Sequence, residues 1–172
     1  ISIEDVEHIT ISRDPSANVF KKITHALKNI VSFSSLKDRL ANVRKVRSFK
    51  GELAKVFNIH EDNIKAEIHN IEHHRSHMAS AFFASPFEES VVLSIDGFGD
   101  FTSTMIGIGK GTKIEVLESV IYPNSVGIFY TAFTQYLGFE NYGDEYKVMG
   151  LAPYGNATMI EKVKDVLVFK NN

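Results

Sequence analysis

The residues able to do chemistry in this sequence are concentrated in two short stretches. His73-His74-Arg75-Ser76-His77 is followed, nineteen residues after His77, by Asp96-Gly97-Phe98-Gly99-Asp100. Residues i and i+4 of a helix share a face, so His73 and His77 can grip one ion through neutral imidazole nitrogens, a donor set suited to iron, zinc or manganese. The plainer reading of such a pair is a polar helix face, or a packing pair whose rings are satisfied by hydrogen bonds. Small and apolar residues from Met78 to Ser85 let the helix sit close to a sheet, and clustered histidines at a buried helix start are costly unless something satisfies them. If that helix packs on the strand before Asp96, the carboxylate supplies a third ligand at roughly 2 Å from the ion. His69 continues the spacing backwards. The stretch Ile64 to Asn70 alternates apolar and polar, however, which reads as a strand ending near Glu72 and leaves His69 outside the site.

The aspartate stretch also suggests phosphate chemistry. Its glycines Gly97 and Gly99 permit positive φ and close approach of backbone N–H groups to an anion, and its two carboxylates can hold a metal or orient a water. Ser103 and Thr104 follow as donors for phosphate, and an ordinary hairpin turn is the alternative. Tyr142 to Gly155 holds three glycines, a proline and Lys147 flanked by aromatics, which reads as a pocket-lining loop with Lys147 as an anion ligand or as a plain surface loop. From Lys37 to Lys55 seven basic residues stand against Asp38 and Glu52. That segment is either a cationic wall for an anion or a solvated helical face.

These residues need a scaffold, and 172 residues with 44% hydrophobic content can bury one substantial core. A formal charge of -2 excludes a globally basic nucleic-acid binder. With no cysteine there are no disulfides, thiolate nucleophiles or cysteine-zinc sites, so any metal must use His, Asp or Glu. No apolar run approaches the roughly 20 residues of a membrane span, and no charged-then-apolar leader opens the chain. The expectation is a soluble cytoplasmic protein that starts within a longer one, since the first residue is not Met.

Asp14-Pro15 predicts a helix start, with Val19, Phe20, Ile23 and Leu27 at helical spacing to about Asn29. Leu53, Val56 and Phe57 read as core contacts. Val91 to Ile95, Phe101 to Ile108 and Lys113 to Glu118 read as three consecutive antiparallel strands. Ser125 is a good N-cap for a helix carrying Ile128, Phe129, Ala132, Phe133 and Tyr136, stopped by Gly138. A last helix is expected from Thr158, with Glu161 as its capping-box partner. The organisation is thus a helical part at 14–60, a sheet with the metal and phosphate motifs at 61–155, and a terminal helix at 158–169. The class is α/β, in the element order of one lobe of an actin-like or sugar-kinase ATPase, a ribonuclease H-like lobe with a mixed sheet.

Taken in order, these motifs form a specific series: Ile11-Ser12-Arg13-Asp14-Pro15, His73-His74-x-x-His77, Ala79-Ser80-Ala81-Phe82, Ser85-Pro86-Phe87, Asp96-Gly97-x-Gly99-Asp100, Ser103-Thr104, Pro123-x-Ser125-x-Gly127-x-x-Tyr130, Leu137-Gly138-Phe139 and Glu145-x-Lys147-Val148-Met149-Gly150-Leu151-Ala152-Pro153-Tyr154-Gly155. The series resembles the O-carbamoyltransferases of nodulation-factor and antibiotic biosynthesis from about residue 9 to about residue 155. The resemblance implies formation of carbamoyl adenylate from carbamoyl phosphate and ATP, then transfer of the carbamoyl group to a hydroxyl of a sugar, nodulation factor or antibiotic. It further implies ATP with Mg and a divalent metal (Fe, Zn or Mn) as cofactors. Carried over residue by residue, His73, His77 and Asp96 become metal ligands. Gly97, Gly99, Asp100, Ser103 and Thr104 face nucleotide phosphates, and Lys147 is the catalytic residue. Partners would be carbamoyl phosphate and a hydroxyl-bearing small molecule or glycan; neither membrane nor nucleic acid is expected, and self-association stays open.

Against that pattern, the family's first phosphate loop, its second ATP-binding lobe and its carboxy-terminal domain have no counterpart in this sequence. The expectation is therefore a fragment that is inactive alone. Related enzymes of hydrogenase maturation and of threonylcarbamoyl-adenosine formation in tRNA share the histidine pair and the nucleotide lobe. A tRNA-modifying relative would use the basic Lys37 to Lys55 segment, and a non-catalytic metal-binding domain is the further alternative.

Overall fold

The computed structural model of the chain describes residues 2–28 and 49–168. In chain order these form β1 (His8–Ile11), α1 (Val19–Lys28), α2 (Phe49–Phe57), β2 (Glu67–Asn70), α3 (His73–Phe83), β3 (Glu89–Gly99), β4 (Thr102–Lys110), β5 (Lys113–Ile121), α4 (Val126–Tyr136), α5 (Glu145–Leu151) and α6 (Ile160–Lys164). The α/β class holds. In place of one mixed sheet, the described strands form two sheets: a parallel pair β1-β2 and an antiparallel set β3-β4-β5.

Each sheet has its own core. On the parallel pair, Ile9 packs with Val6, Leu53 and Ile59 around buried Ala54, Ile64 and Ala66. On the antiparallel sheet, Val92 and Met105 meet Met78 and Phe82 of α3, with Ile114 and Val116 alongside. The helix comes close because β4 offers glycines there. A Cβ at Gly109 would stand 2.6 Å from the Phe82 ring, and one at Gly107 would meet the Glu115 carbonyl at 2.3 Å and Met78 at 2.7 Å. Contacts that short do not occur between real carbon atoms, so both positions must stay without a side chain.

Several local expectations are corrected. The helix after Pro15 begins at Val19, because Asp14 turns its carboxylate back onto the Ser16 N–H (2.9 Å) and hydroxyl (2.6 Å). Asn18 then adopts φ 55°, which no helix accommodates. Val56 and Phe57 are exposed, and Ala54 holds the core position of α2. The basic segment lies mostly outside the described residues; within them Lys50 donates to the Ile64 carbonyl and Lys55 pairs with Glu52. The stretch from Tyr142 to Gly155 contains α5 and a 3-10 turn, Ala152–Tyr154, rather than an open loop. The last helix starts at Ile160 after Met159, which makes no side-chain cap, so Thr158 is not its N-cap.

The three strands after residue 88 and the helix capped by Ser125 lie where the sequence puts them, each strand longer than its apolar run. Gly138 ends α4 at φ 91°. Among the described residues no helix is long and apolar enough to cross a membrane.

Because Met78 is fully buried in the core shared by α3 and the antiparallel sheet, Met78→Ala should lower stability by about 2–5 kcal/mol. Val56→Ala, at an exposed position, should stay within about 0.5 kcal/mol of the parent. Urea denaturation of both variants checks this, and equal shifts would contradict the assigned core.

Candidate metal centre

The start of α3 is fixed from three sides. Glu72 caps it, its side chain accepting the Arg75 N–H at 2.8 Å. The Asp100 carboxylate accepts the His73 N–H at 3.0 Å, and the same oxygen accepts the Asp14 N–H at 2.7 Å. His74, one residue on, has no solvent exposure. The Thr102 carbonyl can only accept, so Nε2–H donates to it at 3.0 Å, and Nδ1 meets the Ser94 hydroxyl at 2.7 Å, which satisfies both ring nitrogens between β3 and β4.

With His74 aimed into the sheet, His73 and His77 face the end of β3. His73 Nε2 lies 2.6 Å from Asp96 Oδ2 and 3.0 Å from His77 Nε2, and His77 Nε2 lies 3.6 Å from the same carboxylate oxygen. Ligands at about 2.0–2.1 Å in a tetrahedron stand roughly 3.3 Å apart, so three donor atoms with these separations can share one ion. The second oxygen, Asp96 Oδ1, is buried and accepts no hydrogen bond. It lies 3.2 Å from His74 Nε2, but the single proton there points to Thr102, so the proximity is electrostatic only. A carboxylate with one buried oxygen lacking a hydrogen bond, beside two imidazoles, offers the donor chemistry of a cation site.

Backbone geometry holds Asp96 in place. It sits in an irregular stretch of β3, where the register with β4 shifts between Ile95 and Gly99. Positive φ falls on Asp100 (49°) and Phe101 (77°), not on Gly97 or Gly99 as the glycine spacing predicts. Gly99 serves close approach instead, since a Cβ there would lie 2.0 Å from the His73 ring. Gly127 does the same for α4, its missing Cβ leaving room for the Asp96 carbonyl. Ser125, the α4 N-cap, donates its hydroxyl to the Gly97 carbonyl at 2.7 Å while accepting the Ile128 N–H.

The structure thus brings His73, His77 and Asp96 together. The other residues singled out for function are placed as follows. The described contacts of Asp100 are the two backbone N–H groups, and Asn18 donates to its carbonyl at 3.1 Å. Ser103 is buried, with its hydroxyl on the Asn124 carbonyl at 2.6 Å. Thr104 lines a largely apolar cavity of about 590 Å³ with Ile95, Val120, Ser125 and Ile128. Lys147 on α5 pairs with Asp144 at 2.6 Å and lies 5.7 Å from the Phe139 ring centre. That hydrogen bond pushes Lys147 up and holds Asp144 below the usual carboxylate range. The Thr131 hydroxyl likewise lowers Glu145, which ties α5 to α4.

Sequence reasoning gave no part to His74, Glu72 or Ser125 in building the centre. For His74 the signal was present: it is the histidine a helix directs inward when its neighbours at 73 and 77 face one edge.

A histidine pair on a helix and an aspartate at an irregular strand end thus meet within an α/β domain. The family model for the carbamoyltransferase N-terminus matches residues 15–171, and the chain belongs to that family. It is 44% identical over 107 residues to the nodulation protein NolNO of Sinorhizobium fredii, covering 62% of this chain and 15% of the relative. It is 52% identical over 84 residues to NolO of Bradyrhizobium diazoefficiens, covering 49% and 15%. An uncharacterized protein of Methanocaldococcus jannaschii is 33% identical over 148 residues, covering 83% and 26%. The chain therefore spans only a small part of the length of these relatives.

His74→Ala should cost about 3 kcal/mol or more, since it opens a cavity and strands the Thr102 carbonyl and Ser94 hydroxyl. A chemical denaturation midpoint unchanged from the parent would show that the buried imidazole is not holding α3 to the sheet.

Proposed function

We propose that this chain supplies the histidine and aspartate ligands, and part of the nucleotide-facing surface, of an ATP-dependent carbamoyltransferase. The observation that carries the reading is the convergence of His73, His77 and Asp96 on one point in a chain of the carbamoyltransferase N-terminal family. The lobe would be ribonuclease H-like, as in actin-like and sugar-kinase ATPases, and the enzyme cytoplasmic. In the proposed reaction carbamoyl phosphate is hydrolysed to carbamate and phosphate. A carbamate oxygen then attacks the α-phosphorus of ATP, giving carbamoyl adenylate and expelling pyrophosphate. An acceptor hydroxyl on a sugar, nodulation factor or antibiotic takes the carbamoyl group, loses its proton, and AMP leaves.

Within that scheme each residue has a task. His73 and His77 present Nε2 donors, and Asp96 adds one carboxylate oxygen, with Gly99 leaving room for the His73 ring. A divalent iron, zinc or manganese ion bound there would supply Lewis-acid polarisation of a phosphoryl or carbamoyl oxygen. Gly97, Asp100 and Thr104 form the proposed nucleotide-side surface, with Ser103 supporting it from inside. Asp100 also holds the start of α3 in register. ATP would bring Mg, and Lys147, kept protonated by Asp144, would offer a cation to an anionic substrate once that pair opens.

The test uses the full-length protein that contains this chain, supplied with ATP, carbamoyl phosphate and a hydroxyl acceptor. AMP should be released, and His77→Ala should lower metal content and turnover together by at least about tenfold. ADP as the nucleotide product, or full activity in His77→Ala, would overturn the reading. The 172-residue chain alone should not turn over.

The glycines offer a finer check on the same centre. Gly99→Ala forces a Cβ into the His73 ring and should cut metal occupancy, whereas a Cβ at Gly97 meets only the Ile128 side chain at 3.5 Å and should leave it intact. Metal analysis of the two purified variants reads the difference, and equal occupancy would sever His73 from metal binding.

A further inference from the structure

The parallel pair β1-β2 carries a second cluster of donors on the strand face turned away from its core. His8 lies opposite Glu67 in the register, and His69 follows Glu67 by two residues, so period-two geometry sends all three side chains to one side. Ile9 and Ala66 take the other side, in the buried cluster. His8 Nδ1 stands 3.0 Å from His69 Nε2, and each nitrogen lies 3.8 Å from Glu67 Oε2. Those separations bracket the roughly 3.3 Å expected between ligands of a tetrahedral ion with bonds of about 2 Å, as closely as the separations at His73, His77 and Asp96 do.

We propose that His8, Glu67 and His69 form a second metal site, selective for borderline divalent ions such as zinc, nickel or cobalt. Two imidazoles and a single carboxylate suit these ions; magnesium and calcium require shells of six or more oxygens. The residues come from two separate strands, so a bound ion cross-links β1 to β2 and stabilises the parallel pair in the folded state only. The outward face of Glu67 and His8, with side chains 70% and 62% exposed, leaves the fourth position to water or to an exogenous ligand. A neutral imidazole pair sharing one N–H would also place two nitrogens 3.0 Å apart, and metal titration separates that arrangement from a site.

The experiment is a titration of the chelator-stripped full-length protein that contains this chain with Co²⁺, read by bound cobalt per chain and by visible absorption, and repeated with Zn²⁺ by calorimetry. The parent should bind a metal ion with His8, Glu67 and His69. His8→Ala and His69→Ala should each weaken that ion at least about tenfold, and Glu67→Gln should weaken it by less. Thr10→Ala, on the same strand face as His8, should leave it unchanged, and circular dichroism confirms that each variant is folded. The ion held by His73 and His77 is distinguished by His77→Ala, which should leave the His8-dependent ion in place. Cobalt or zinc binding that is insensitive to His8→Ala and His69→Ala in folded protein overturns the second site without touching the first. Loss confined to His8→Ala and His69→Ala, with none in His77→Ala, supports the second site and removes the first.

Discussion

The fully buried imidazole of His74 is the constraint from which the rest of the site follows. A ring with two polar nitrogens cannot be sealed into a protein unless both are met, and here β3 and β4 each provide one partner. Once that ring is fixed, the rotation of α3 about its own axis is fixed too. Neighbouring helix residues are separated by about 100°, so His73 and His77 must share the flank beside it, and the flank faces the end of β3. The two imidazoles that meet Asp96 are therefore aimed by a residue that stands outside their cluster.

Close approach makes that aim effective. Gly107 and Gly109 let α3 lie against β4, Gly99 admits the His73 ring, and Gly127 lets the first turn of α4 press on the carbonyl of Asp96. Asp100 then joins three segments through one carboxylate oxygen, binding the loop after β1 and the first turn of α3 to the β3-β4 connection. A carboxylate receiving two backbone N–H groups is a strong, directional anchor, which explains why the chain tolerates a left-handed residue at that point.

The sequence made the elements with local signals legible. The strand triplet shows as three apolar runs separated by turns, and α4 shows through Ser125 at its start and Gly138 after its end. The histidine pair and Asp96 were readable because helix periodicity and a strand end are both local patterns. What escaped depended on distant partners. The start of α1 was misplaced because Asn18 is drawn out of helical geometry by the Asp100 carbonyl and Thr102, more than eighty residues away. The 142–155 segment, dense in glycine and aromatics, looked like a loop, and it is the Thr131–Glu145 hydrogen bond to α4 that accompanies its folding as α5. The alternation from Ile64 to Asn70 places His69 on a strand, where it lies, yet its relation to His8 depends on a parallel pairing that no local pattern reveals.

The two histidine clusters also differ in how the fold prepares them. At the His73 cluster the donors come from a helix and an irregular strand, one carboxylate oxygen is buried without a hydrogen bond, and the supporting contacts extend to Ser94, Thr102, Ser125 and Asp100. At the His8 cluster the donors project from a regular two-stranded ladder into solvent, with Ile9 and Ala66 behind them. Preorganisation by surrounding hydrogen bonds is what raises the affinity of a site and fixes the orientation of what it holds, while an open ladder site gains its advantage mainly from joining two strands. An ion at the proposed first site would be held in a fixed orientation, and one at the proposed second site would join the two strands; the physical difference lies in the shell behind the donors rather than in the donors themselves.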